Sequence, residues 1–239
     1  TATHDRLAAL AARGVVDRVV VVAQHLDRAC AATGTRPRHF GRYLHWSDAP
    51  LVALSLDGPD LVLYWDPGAD LVPGSADWVG PSSELLLARD DVLVANPRWA
   101  DEATVLTEVD RRDPPFGLGY GFSDQVFLMR RSRAPRRLRR WLPYWLRSPV
   151  SARYPFTGAT SFELLMDVHM RTSRLLRATH LGAEYRHVDT GHAYLPEGLR
   201  ERVAFRRDRE IGNILGRHRW RSPRLRRPGL LDEQPDAGR

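Results

Sequence analysis

The sequence predicts an α/β fold: a mostly parallel sheet flanked by helices, in a single domain with a basic C-terminal tail. Three observations carry that expectation. The continuous apolar run at residues 61–65 reads as a strand covered on both faces, the β-branched run at 15–23 as a buried strand and residues 91–95 as another strand. Helix-forming stretches at residues 26–32, from Pro50 onward and at 81–88 lie between or beside them. Strand and helix alternating at this spacing is the rhythm of crossover-connected units. The domain is set at residues 1–216, and residues 217–239 form the Arg/Pro-rich tail.

Each element has a local reason. Residues 7–13 (Leu-Ala-Ala-Leu-Ala-Ala-Arg) are rich in helix formers and stop at Gly14. Residues 15–23 (Val-Val-Asp-Arg-Val-Val-Val-Val-Ala) are β-branched and predict a buried strand. A short helix over 26–32 should end at Thr33-Gly34, and residues 39–46 read as a further strand. Ser47-Asp48-Ala49-Pro50 reads as a helix start with a capping Asp and an early Pro, closed by Gly58-Pro59. Leu61-Val62-Leu63-Tyr64-Trp65 then forms a strand that ends abruptly in Asp66-Pro67-Gly68-Ala69-Asp70. A helix beginning at Pro81-Ser82-Ser83-Glu84 precedes the strand at 91–95. Residues 110–124, with Pro114-Pro115 and Gly117, Gly119 and Gly121, read as a loop near a ligand or as a plain connector. Residues 125–129 form a strand leading into Arg130-Arg131. Thr160 or Ser161 caps a helix whose apolar face holds Leu164, Leu165, Val168 and Leu175. Residues 206–217 read as a charged helix ahead of the tail.

Composition narrows the function classes. Of the 239 residues, 43% are hydrophobic and 27% charged, the proportions of a soluble globular protein. No apolar run is long enough to span a bilayer and no signal segment opens the chain, which starts at Thr1 without a Met. The single Cys30 excludes an intrachain disulfide and a cysteine-cluster zinc site, and fits a reducing cytoplasm. Net charge is +7 and the pI about 10.2, which invites a nucleic-acid reading. All 36 basic residues are arginine and none is lysine, as the codon bias of a GC-rich genome would give, so basicity says little about partners.

Chemistry concentrates at two points. Asp66 and Asp70 follow a strand where α/β sheets bind ligands, at the carboxyl ends of their strands. Carboxylate oxygens there suit a hard divalent cation such as Mn²⁺ or Mg²⁺, which neutralises a diphosphate. The alternative is a turn cap at Asp66 and a solvated Asp70. Glu163 lies in the first turn of its helix, where the helix dipole favours an ionised carboxylate, and an ordinary helix-start residue is the alternative. Separately, Arg136, Arg137, Arg139 and Arg140 alternate with Leu138, Trp141, Leu142, Tyr144 and Trp145. That grouping suits an anionic membrane surface or a phosphate-bearing acceptor, or else a solvated helix that Pro143 would kink or end. His187 and His192 have neither partner cysteines nor an HExxH context, which argues against zinc.

Thr3-His4-Asp5-Arg6, the strand ending in Asp66, Glu163 at a helix start and the segment Ala183-Glu184-Tyr185-Arg186-His187 follow one another in a familiar order. Across roughly residues 1–190 the chain resembles the GT-A-type, family-2-like nucleotide-sugar glycosyltransferases. It departs from them in two places. Ala23-Gln24-His25 stands where an acidic pair holds the base, and Gly68 occupies the second Asp of the Asp-x-Asp motif, with Asp70 two places late. The resemblance implies a GT-A-like, mostly parallel sheet whose first strand begins before Thr1. It implies donor contacts from Thr3, Asp5, Arg6 and Asp66, and acceptor contacts from Ser123 and Asp124. A divalent metal would be held by Asp66 with Asp70 and His187, and Glu163 would be the general base of an inverting transfer to an acceptor hydroxyl, lipid-linked or otherwise. Two other classes stay open: a nucleotidyltransferase on a similar sheet, and a non-catalytic basic adaptor for membrane or nucleic acid.

Overall fold

The computed structural model describes residues 2–138 and 161–187. Arg139, Arg140, the aromatic stretch after them, the expected helix at 206–217 and the tail lie outside the described residues. Seven helices and seven strands are described: α1 (Ala2–Ala12), α2 (Val22–Ala32), α3 (Pro37–Phe40), α4 (Leu44–Ser55), β1 (Leu61–Trp65), β2 (Ala69–Leu71), α5 (Val79–Ala88), β3 (Val92–Arg98), α6 (Glu102–Leu106), β4 (Arg111–Asp113), β5 (Phe116–Gly119), β6 (Val126–Arg130), α7 (Phe162–Ser173) and β7 (Leu176–His187). One sheet holds the strands in the order β1-β6-β3-β7-β5-β4, with β2 paired to the far end of β7.

The layers follow from burial. On one face Ala29, Phe40, Leu51, Phe162 and Met166 bring α2, α3, α4 and α7 onto Val62, Val94, Phe127 and Met129 of the sheet. On the other, Leu86 of α5 and Trp78 cover Val92, Ala95, Leu128 and Ala178. The alternation of Val94 and Ala95, and of Phe127 and Leu128, between the two faces is the period of a pleated strand. β3 and β6 are buried along all but their last residue, as the apolar runs Val92–Ala95 and Val126–Met129 require.

The structure corrects several expectations. The sheet is not mostly parallel: β3 and β7 form its one parallel ladder, while β1·β6, β3·β6, β5·β7, β4·β5 and β2·β7 are antiparallel. Strand β6 enters antiparallel between β1 and β3, so the two run in one direction without touching. The valine run at 15–23 is not a strand. Val15 is 58% exposed, the backbone bends, and α2 begins at Val22. β-Branched side chains favour a ladder only where a neighbour strand offers one; here Val20 and Val22 pack on the core from the helical layer instead. Residues 39–46 fold into α3, a 3-10 turn and the start of α4, so Pro50 lies inside a helix and not at its first turn. Among the described residues β1 pairs on one side only, with Leu63 45% and Trp65 37% exposed. The glycine-rich stretch at 110–124 supplies β4 and the fully buried β5, and is not a free loop.

Those glycines have a packing reason. A Cβ at Gly117 would lie 2.5 Å from Val109, and one at Gly119 would run into the backbone carbonyl of Glu108. Glu108 and Val109, in the chain after α6, therefore sit directly on β5 because those positions carry no side chain.

Candidate functional site

β1, β3 and β7 run in one direction, and β6 in the other, so one edge of the sheet collects the carboxyl ends of three strands and the entrance to a fourth. Asp66 leaves β1 at this edge, and its N–H donates to the Gln125 carbonyl at 2.7 Å. That bond ties the end of β1 to the residues just ahead of β6, which are Ser123, Asp124 and Gln125. The Asp66 carboxylate accepts the Gly68 N–H at 2.7 Å, and its carbonyl accepts the Ala69 N–H at 2.9 Å. Asp66 is thus a turn former, and the same turn presents it at the edge.

Glu163 arrives from above. Ser161 caps α7 by accepting the Leu164 N–H at 3.1 Å, as expected from Ser161-Phe162-Glu163, which fixes Glu163 in the first turn. The Phe162 N–H donates to the Ser47 hydroxyl at 3.0 Å, and Ser47 in turn donates to the Tyr43 carbonyl at 2.9 Å. This pins the start of α7 to α4. Phe162 packs edge-on against Phe122 with ring centres 5.3 Å apart, and Phe122 lies 5.1 Å from Phe127 on β6. Helix start, strand entrance and α4 are therefore held by one aromatic cluster.

Three carboxyls from distant stretches meet here. Asp124 is surrounded by protein on most sides yet keeps part of its surface in solvent. Burial pushes its pKa well above the usual carboxylate range, and the charges of Glu163 and then Asp66 push it further. Asp48 of α4 is raised too, by burial, against an opposing hydrogen bond from the Ala49 N–H and the nearby His45. Two tyrosines report the same negative field. Tyr64 of β1 is raised by burial and by Asp66, Asp124 and Asp48. Tyr185 of β7 is pushed up to about 12 by burial foremost, with Asp124 and Glu163 adding to it against Ser123 and Arg177.

Tyr185 also organises the edge by hydrogen bonding. Its hydroxyl donates to Gln125 Oε1 at 3.0 Å and lies 3.0 Å from the Ser123 hydroxyl. With its one proton committed to Gln125, it accepts from Ser123. The Ser123 oxygen then accepts the Gln125 N–H at 3.4 Å. Asp124 sits in the middle of this closed set. Arg177, almost fully buried, pairs with Glu108 at 3.2 Å and lies 4.4 Å over the Trp99 ring. A Cβ at Gly121 would come within 2.5 Å of the Arg177 guanidinium, and Gly121 has φ +128°, so the loop into Ser123 needs glycine for both reasons.

No family model, curated protein or solved structure matches the chain. The site is therefore read from its own residues.

Of the residues expected from sequence, Asp66, Ser123, Asp124 and Glu163 come together. Asp70 is exposed on β2, in register with Arg186, and His187 is opposite Ala69 on the same ladder. Thr3, Asp5 and Arg6 lie on α1, a helix where a strand-to-turn connection was expected, and Asp5 and Arg6 are exposed. Among the described residues, no group of three or more His, Cys, Asp or Glu side chains is gathered to hold a metal ion. A lone carboxylate at Asp66 still fits Mg²⁺-type binding, in which one or two carboxylates share the ion with substrate phosphates and water. Asp48, Tyr64, Gln125 and Tyr185 were not anticipated as site residues. Gln125 adjoins Ser123-Asp124 and offered a signal, whereas Asp48 read as a cap, Tyr64 as a strand residue and Tyr185 as part of the 183–187 segment of the resemblance.

Proposed function

We propose that the chain is a glycosyltransferase that moves a sugar from a nucleotide-diphosphate sugar to an acceptor hydroxyl. The observation that carries this reading is the meeting of Asp66, Asp124 and Glu163, from three separate stretches, at the carboxyl edge of co-directional strands. The shared direction of β1, β3 and β7 also supports a GT-A-like arrangement of this edge, within a sheet that is otherwise mostly antiparallel.

Two carboxyls with different environments suit acid–base work on a hydroxyl. Glu163, at the start of α7, is favoured as the ionised partner by the helix dipole. Asp124, raised by burial and by its acidic neighbours, holds a proton more readily and hydrogen-bonds the acceptor. Glu163 takes the acceptor proton as that oxygen attacks the anomeric carbon. The nucleoside diphosphate leaves with the electron pair of the broken glycosidic bond, and the configuration inverts. A divalent ion, when bound, would neutralise the diphosphate, and Asp66 is the carboxylate that would hold it.

Thermal-shift measurement of the chain with nucleotides and nucleotide sugars, each with and without Mn²⁺, tests this. Selective binding to the native state raises the melting temperature. A nucleotide-sugar-dependent rise that weakens in Asp66→Ala is the expected result. No shift with any donor at millimolar concentration would remove the transferase reading.

A further inference from the structure

We propose that a cluster of exposed arginines beside the end of α2 docks the protein on an anionic lipid bilayer. The proposal does not depend on the reading of the carboxylate edge.

Two segments about a hundred residues apart are joined there. The Leu138 N–H donates to the Thr33 carbonyl at 2.8 Å, and Leu138 is buried in the helical-layer core. Gly34, with φ +69°, lies against the neighbouring backbone: a Cβ on it would be 3.6 Å from the Arg137 Cα and 3.8 Å from the Arg136 carbonyl. Arg136 and Arg137 are thereby set beside Arg36 and Arg38, which follow Gly34 at the start of α3, and all four are exposed. The backbones of the two segments touch here, and each exposed positive charge reaches about one Debye length, about 8 Å at physiological ionic strength, so the four act together on a charged surface.

Several other guanidiniums among the described residues are paired with carboxylates. Arg89 pairs with Asp113 at 2.7 Å, Arg98 with Glu184 at 2.8 Å and Arg130 with Asp60 at 2.9 Å. Among the described residues, no ion pair joins Arg36, Arg38, Arg136 or Arg137 to a carboxylate. Positive charge at the carboxyl end of a helix has a structural use, through the helix dipole, but that use does not require four.

An aromatic anchor favours a bilayer over a nucleic acid. α3 leads through a 3-10 turn into α4, where Trp46 is 43% exposed. Its ring stacks on Tyr43 at 5.7 Å and lies 4.4 Å from His45, so an indole is presented on a rigid base. Tryptophan settles at the headgroup level of a bilayer, where basic side chains meet anionic lipid.

Vesicle sedimentation of the full chain decides the matter, with phosphatidylcholine vesicles compared against vesicles containing a third phosphatidylserine. Wild type should pellet with the anionic vesicles alone, and less as salt rises. Each basic residue near such a surface is worth about fivefold in partitioning, so R36S/R38S/R136S/R137S should lose roughly a few hundred-fold. Arg136→Ser with Arg137→Ser alone should lose about 25-fold, and serves if the quadruple variant fails to fold. Trp46→Ala should weaken anionic-vesicle binding several-fold. Wild type that stays in solution, or variants that pellet like wild type with only a lowered melting temperature, would overturn the proposal. Duplex DNA binding that survives at a salt concentration where vesicle binding has gone would also overturn it, in favour of nucleic acid.

Discussion

Asp124 places a cost on the folded state wherever it must ionise. Its folded pKa is raised above the unfolded value, so the folded protein binds the proton more tightly. The penalty is absent below the unfolded value of about 3.9, grows as pH rises through the raised pKa, and is full above it. Asp124→Asn should therefore raise the melting temperature at pH 7–8, and the gain should vanish near pH 4. Each unit of upward shift is worth about 1.4 kcal/mol at neutral pH. A melting series in pH for both proteins checks this, and an equal difference at all pH values would dissociate Asp124 from the acidic cluster. Glu163→Gln keeps size and most hydrogen bonding but cannot take a proton. Turnover should fall about 10²–10⁴-fold with donor affinity nearly unchanged. Retained turnover in a preparation with a lowered melting temperature would sink Glu163 as the base.

At the scale of elements, the position of α7 decides whether a site exists. Its first turn is held by Ser161 and, through the Phe162 N–H, by the buried Ser47. Ser47→Ala leaves that N–H without its partner in a buried setting, at about 1–3 kcal/mol. Urea denaturation should show the lowered midpoint, and ligand-induced stabilisation should shrink with it because Glu163 shifts. β5 offers a harsher test. Gly119→Ala drives a methyl into the Glu108 carbonyl, and the strand lies in a buried stretch. A loss of about 1–3 kcal/mol is expected, and a substitution without effect on the denaturation midpoint would show that the chain at Glu108 does not rest on β5. Asp60, half-buried ahead of β1, fastens that strand's other end. It accepts from Arg130 at 2.9 Å and from the Ser132 N–H at 2.7 Å, which hold its pKa at about 2. A depressed carboxylate contributes stability above its unfolded pKa that is lost as pH falls through the folded one, here between about pH 4 and 2.

For the molecule as a whole, burial runs from a closed centre to an open margin. β3, β6 and β7 hold the middle of the sheet, while β1 pairs, among the described residues, with β6 alone. Amide exchange should be slowest in Val94, Ala95, Leu128 and Ala178, and faster at alternate amides of β1. Uniform protection across β1 would mean that another segment covers its free side. No helix among the described residues is long and apolar enough to cross a membrane.

What the residues determine on their own is local. Ser161 followed by an apolar periodicity specifies a capped helix wherever it lies, because the cap bonds to a backbone three residues away. The unbroken apolar runs of β3 and β6 demand burial on two faces, and Asp66-Pro67-Gly68 turns the chain by its own side-chain bond. Strand direction and strand partners are not local. The valine run after Gly14 has the composition of a strand and no ladder among the described residues. The glycines of β5 read as a loop because their reason, the approach of Val109 and Glu108, lies in another element. The site divides the same way. Asp66 was visible as an acid ending an apolar run and Glu163 as an acid in a capped first turn, both legible in one dimension, while Asp124 was expected only through the resemblance. Their meeting, and the enlistment of Asp48, Tyr64, Gln125 and Tyr185, came from β6 crossing antiparallel beside β1 and from α7 pinned to α4. Contacts between distant segments are chosen by the burial and pairing of the whole chain, and no single stretch contains that information.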